Sequence, residues 1–133
     1  MKFMYLLVVP LLAASLKAAT VNDLTFTLND AGTEYSVTDC VLEATGDLVI
    51  PSTYNSLPVT SIGENTFKDC ISLTSVILPD GITSINYRTF YKCTGLISVT
   101  IPNTVTSIGE DSFYKCASLT GITIPDSVTY IDF

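Results

Sequence analysis

Four cysteines, Cys40, Cys70, Cys93 and Cys116, carry most of the reactive chemistry available to this 133-residue chain. An even number of cysteines in a secreted chain suits a framework of two disulfides. The spacing argues for something else. Cys70, Cys93 and Cys116 recur at a constant interval of 23 residues, which puts them in one column facing an interior. There the expected state is a buried free thiol filling a small apolar slot. A bridge between neighbours in the column would need Cα atoms within roughly 7 Å and suitably turned Cβ vectors. Cys40 is out of register and could pair with Cys70 if its segment folds back over the first repeat. Zinc is not expected, since the chain has no histidine and no Cys-x-x-Cys, and a column does not converge tetrahedrally.

The absence of histidine also removes the ordinary Ser-His and Cys-His pairs of nucleophilic catalysis. Carboxylates are plentiful, but their places look like turns. Asp80 and Asp126 follow prolines, as does Asn103, where such side chains satisfy local backbone donors. Glu110 and Asp111 are adjacent in sequence, and Asn65 replaces the second acid in the first copy, so they read as solvated turn carboxylates. There is no glycine-rich phosphate loop and no calcium-loop spacing. The chain is expected not to be an enzyme and to carry no cofactor or metal.

The element that positions the cysteines is the repeat itself. Its copies run Val59–Gly81, Ile82–Thr104 and Val105–Ser127, and a fourth starts at Val128 and stops at Phe133. Ile62, Ile85, Ile108 and Ile131 form one column, Phe67, Phe90 and Phe113 a second, and Leu73, Leu96 and Leu119 a third. Val76, Val99 and Ile122 follow, then Leu78, Ile101 and Ile124. A fixed period of this length predicts a stacked solenoid whose units bury their apolar sides only against each other. Val76 and Leu78 share one face of a strand. Pro79, Pro102 and Pro125 end that strand, because proline lacks the N–H a ladder needs. Phe67 and Cys70, three apart, suit one inward helical turn.

The pattern V-T-S-I-G-x-x-x-F-x-x-C-x-x-L-x-x-[VI]-x-[IL]-P-[DN] resembles the BspA-like class of leucine-rich repeats over Val59–Phe133, and Leu48–Pro58 resembles its usual lead-in. The resemblance implies a leucine-rich-repeat solenoid, right-handed and mainly β with short helical turns, on a secreted or cell-surface protein. Such proteins, in bacteria and some microbial eukaryotes, are associated with adhesion to other cells or to host matrix.

Residues 1–19 read as a signal peptide: Lys2, an apolar run Phe3–Leu12, then small residues at Ala13, Ala14, Ala18 and Ala19. Residues 20–58 do not repeat. Leu24–Leu28 alternates, Asn29-Asp30-Ala31-Gly32 signals a turn, and Tyr35-Ser36-Val37 resumes, so a β-hairpin is expected to cap the first rung. Tyr54–Pro58 reads as a loop into the repeats of 59–133. From Thr20 onward only Lys68, Arg88, Lys92 and Lys115 are basic, against all thirteen acids, which argues against nucleic acid and anionic membranes as partners. No second apolar segment follows, so the mature chain is not expected to insert into a membrane.

Partners are expected at outward positions that the core does not constrain. On the strand face these are Ser75 and Ile77, Ser98 and Thr100, and Gly121 and Thr123. On the turn edge Tyr91 and Tyr114 share one column and Lys92 and Lys115 the next, with Tyr87 and Arg88 nearby. Aromatic residues with cations make good interface anchors, although tyrosines can also simply pad an outer turn that lysines keep soluble. The threonine column Thr60, Thr83, Thr106 and Thr129 is too narrow for ice binding. At the far end Phe133 is expected to fold over the last rung, and an open strand edge is a template for another chain. The leading expectation is therefore a secreted or surface repeat protein that binds an extracellular protein or glycan. The alternative is an assembly module, or a remnant of a longer array, that associates end to end.

Overall fold

The computed structural model describes residues 17–133; residues 1–16, most of the expected leader, lie outside the described residues. From the N-terminal side come a short 3-10 turn (Val21–Asp23) and β1 (Leu24–Leu28), β2 (Tyr35–Cys40), β3 (Gly46–Val49), β4 (Thr53–Tyr54) and β5 (Leu57–Ile62). The repeats then add β6 (Leu73–Ile77), β7 (Ser84–Ile85), β8 (Ser98–Thr100), β9 (Ser107–Ile108) and β10 (Tyr130–Ile131). The chain is a leucine-rich-repeat solenoid of short parallel strands.

The 23-residue period becomes two parallel sheets. One has strand order β3-β6-β8 and carries Leu48, Val76 and Val99 in register on its inner face. The other has order β10-β9-β7 and aligns Ile85, Ile108 and Ile131. The predicted hairpin is present: β1 and β2 pair antiparallel with a bulge at Thr25/Phe26, and β2 then runs parallel to β5. One correction concerns Tyr54–Pro58, which is a tight hairpin rather than a loop. There β4 pairs antiparallel with β5 through Asn55 and Ser56, both at positive φ. The hairpin brings the Tyr54 ring onto Phe26, stacked with centroids 4.0 Å apart, and Tyr35 meets both edge-on. The cap is thus closed by aromatic packing of the kind that adds to area burial.

The predicted helical turn also takes another form. No helix is assigned between Ile62 and Leu73; the segment is a run of turns with Asn65 and Asp69 at φ 58° and 61°. Arg88 and Lys92, then Asp111 and Lys115, repeat the two left-handed positions. Non-glycine residues seldom adopt this region, and the backbone explains why these do. Bent this way, Asn65, Phe67 and Asp69 donate their N–H groups to the carbonyls of Tyr87, Thr89 and Tyr91. Arg88, Phe90 and Lys92 do the same to Glu110, Ser112 and Tyr114, at 2.7–3.0 Å. A helix would spend those donors within its own rung, whereas the turns spend them along the stack. Phe67 and Cys70 still both point inward and are fully buried.

Inside, Phe67, Phe90 and Phe113 stack at 5.1 and 5.4 Å with rings nearly parallel. A second buried column, Thr66, Thr89 and Ser112, turns its hydroxyls back onto the carbonyls of Gly63, Asn86 and Gly109, three residues earlier. Burial fades along the stack: Val99 and Ile101 are buried, Leu119 and Ile122 are partly covered, and Ile124 is exposed. Leu96 is fully buried in the middle rung. Leu96→Asp should cost several kcal/mol by leaving an unpaired carboxylate there, enough to unfold a domain of ordinary stability. Thermal and urea melts followed by circular dichroism check this, and a parent-like melt would refute the inward assignment.

Candidate functional site

The turn edge gathers the cations of the repeats around two rings. Tyr91 and Tyr114 follow Phe90 and Phe113, so the rung that buries one aromatic column necessarily turns the next residue outward. Their rings stack at 5.1 Å with a 17° interplanar angle. Lys68 lies over the Tyr91 ring at 5.9 Å and Lys92 at 5.2 Å, while Lys115 covers Tyr114 at 5.4 Å. The Arg88 guanidinium sits between Tyr87 at 4.6 Å and Tyr91 at 4.8 Å. These distances are within cation–π range.

Arg88 is held by Asp111. Its Nε and Nη2 donate to one carboxylate oxygen of Asp111 at 3.0 and 2.9 Å, the one ion pair among the described residues. This raises the guanidinium above its already high range. Asp111 is therefore not the solvated turn acid that its neighbour Glu110 suggested, because the 23-residue step sets it one rung beyond Arg88. The pair is partly exposed, so it orders the edge more than it stabilises the fold. Together, Arg88, Tyr91, Lys92, Tyr114 and Lys115 form one flat, cationic, aromatic strip. Tyr114 is nearly half exposed.

The strand face is a separate surface. Ile77, Ser98, Thr100 and Thr123 point outward and Ser75 is half-buried. The expected third row is displaced: Gly121 and Thr123 belong to no strand, since glycine weakens extended backbone. Its place on the other side is taken by β3, whose Asp47 and Val49 lie beside Ser75 and Ile77. The Ser75 and Thr74 hydroxyls both donate to Asp47 Oδ1, at 2.7 and 2.9 Å, and hold its carboxyl below the usual range. Val49 and Ile77 make an exposed apolar pair beside a shallow groove that reaches Pro79, Thr100 and Pro102.

The threonine column is engaged with backbone: Thr106 and Thr129 donate their hydroxyls to Thr83 O and Thr106 O. At the far end Phe133 does not fold over the last rung. It is 99% exposed, beside exposed Tyr130 and Ile131, at the rim of a shallow hollow lined by Ile108, Phe113 and Ile131. At the other end Lys17–Ala19, part of the expected leader, lies against the cap: Ala18 bridges Thr45, whose hydroxyl donates to Lys17 O.

All four cysteines are buried free thiols. Cys93 and Cys116 donate to Phe67 O and Phe90 O of the preceding rung at 2.9 and 3.1 Å. Burial pushes the Cys93 thiol well up and the Cys116 thiol to about 11. Neither is a ready nucleophile, since the thiolate is the reactive form.

The match of Leu48-Val49-Ile50-Pro51 to Val76-Ile77-Leu78-Pro79 holds in the register of β3 with β6, but sequence reasoning did not count Asp47 and Val49 among the outward residues, and it missed the Arg88–Asp111 pair. The signal for that pair was present as opposite charges one repeat apart at the same position. No helix among the described residues is long and apolar enough to cross a membrane.

Asp47 supplies a pH test. Its carboxyl should titrate below its ordinary value, as read by carboxyl-carbon NMR, and Ser75→Ala should move the midpoint upward. A carboxyl depressed in the folded state stabilises above its ordinary pKa. That contribution is lost as pH falls through the folded value.

Known proteins place this geometry. The pattern of the BspA type leucine rich repeat region, in six copies, matches residues 47–133. A leucine-rich repeat protein of T. pallidum is similar at 29% identity and a TM-score of 0.78, over 87% of this chain and 54% of that one. A leucine-rich repeat protein from Bacteroides capillosus has 32% identity and a TM-score of 0.76, over 84% of this chain and 85% of that one. A leucine rich cell surface protein from Faecalibacterium prausnitzii has 36% identity and a TM-score of 0.67, over 87% of this chain and 32% of that one. This chain thus spans about half of the T. pallidum protein and a third of the F. prausnitzii one. Among curated proteins none matches.

Proposed function

The chain belongs to the BspA-type leucine-rich repeat family, and on that premise we propose that it is a secreted or cell-surface-associated, non-catalytic binding protein. Its partner is an extracellular protein or glycan, and its role is adhesion to cells or matrix. The likeness to a leucine rich cell surface protein supports the location.

The observation that carries the binding reading is the stacked Tyr91–Tyr114 pair with cations over both rings. Tyrosines held flat by a neighbour lose little rotamer entropy on binding, and exposed cation–aromatic sets are typical interface anchors. A face of this kind suits sugar rings, which stack on aromatics, or an acidic protein segment, which pairs with the lysines. The acidity of the rest of the chain sharpens the contrast in field.

Biosensor binding to a solubilised extracellular-matrix extract and to a glycan array tests the reading. Tyr91→Ala combined with Tyr114→Ala should weaken binding at least about tenfold and shift the melting temperature by only a few degrees. Full binding by this variant would move the site to the strand face.

One observation favours assembly as a second reading: Phe133, Tyr130 and Ile131 are exposed on and beside β10, the edge strand of its sheet among the described residues. In that case sedimentation velocity would show concentration-dependent dimers that disappear in Ile131→Ser combined with Phe133→Ser. A strictly monomeric parent at high concentration would remove this reading.

A further inference from the structure

We infer that Cys40 and Cys70, free thiols in this structure, close under oxidising conditions into a disulfide that staples the N-terminal cap to the first repeat, while Cys93 and Cys116 remain thiols. The argument begins with the hydrogen bonds of the column. Cys93 and Cys116 each have a private acceptor one rung back, at 2.9 and 3.1 Å. Cys70 has no such partner. Its thiol and that of Cys40 both aim at the single carbonyl of Val41, at 3.9 and 3.6 Å. The Cys70 contact is at the outer limit for a sulfur donor, and such donors are weak. Two thiols sharing one distant acceptor lose little by giving up their protons.

The irregularity of the cap brings the two together. In each full repeat the cysteine N–H closes a turn onto the phenylalanine three residues earlier, as Cys70 does onto Phe67. In the cap Ala44 makes that bond onto Val41. A smaller residue therefore takes the corresponding place in the cap, and Cys40, the last residue of β2, shares the Val41 carbonyl with Cys70. Both sulfurs are buried, Cys40 at 4% and Cys70 at 0% exposure, and both lie within 4 Å of the same carbonyl oxygen.

The oxidant is a small-molecule disulfide such as oxidised glutathione. One of the two cysteine thiolates attacks one of its sulfurs and expels a glutathione thiolate, leaving a mixed disulfide on that cysteine. The other thiolate then attacks the cysteine sulfur of the mixed disulfide, forming the Cys40–Cys70 bond and releasing the second glutathione thiolate. The two protein thiols lose two protons and two electrons, and the oxidant's sulfur–sulfur bond takes up those electrons. Because both sulfurs are buried, exchange proceeds before the cap has closed over them.

Trypsin makes the test direct, because Lys17, Lys68, Arg88, Lys92 and Lys115 put each cysteine in its own peptide. The full chain is refolded in a glutathione redox buffer, alkylated, digested without reduction and mapped by mass spectrometry. The expected result joins peptide 18–68 to peptide 69–88, with Cys93 and Cys116 alkylated. Dithiothreitol should lower the melting temperature by about 10 °C and have no such effect on Cys40→Ala. Alkylation of all four cysteines after equilibration with excess oxidised glutathione would overturn the inference, as would a bond joining any other two peptides. If Cys40→Ala fails to fold, the parent's peptide map decides alone.

Discussion

Each rung of this solenoid leaves its own backbone unfinished and depends on its neighbour to complete it. In the turn segment alternate N–H groups point along the stack and meet carbonyls 22 residues further on. On the two sheets the partners are likewise in the next rung. Buried donors and acceptors are nearly always paired, so a repeat of this length cannot fold alone. The left-handed residues of the turns, the prolines ending the strands and the buried Thr66–Thr89–Ser112 column all follow from that condition. The hydroxyls of that column close each turn onto a carbonyl three residues earlier, and Ser112 also reaches Asn86 O of the preceding rung.

The inner architecture was legible because identical positions in successive rungs have identical surroundings. Ile62, Phe67, Cys70 and Leu73 could be assigned inward from the sequence, and all four are fully buried. Local conformation was less legible. Phe67 and Cys70, three apart, fit a helical turn as well as a chain of bends, and only the demand for inter-rung donors separates the two. Nothing local to Asn55-Ser56 marks a hairpin either, because its stability comes from Tyr54 reaching Phe26 across the cap. That contact joins segments far apart in sequence, where periodicity carries no information.

The candidate surfaces sit where the repeat stops constraining the residue type. Position 68 is lysine where 91 and 114 are tyrosine, and position 69 is aspartate where 92 and 115 are lysine, although the backbone is the same in all three rungs. Such variation costs the core nothing. The stack nevertheless sets where these side chains stand, since the spacing that packs Phe90 on Phe113 also places Tyr91 on Tyr114 at a similar distance. A regular interior thus orders an irregular exterior, and Arg88–Asp111 uses the same step to join two rungs.

The two ends show what the stack requires where its regularity stops. At the cap an antiparallel hairpin, an aromatic cluster and an alanine in place of a column cysteine cover the first rung, and Phe67 and Cys70 are fully buried as a result. In the last rung the same columns are thinly covered: Phe113 and Leu119 are only partly buried, and Ile131 is exposed although its equivalents Ile62, Ile85 and Ile108 are buried. Identical side chains at equivalent positions thus differ in burial only by what lies on the next side of the stack. Stability in such an array resides in the interfaces between rungs rather than in the rungs themselves.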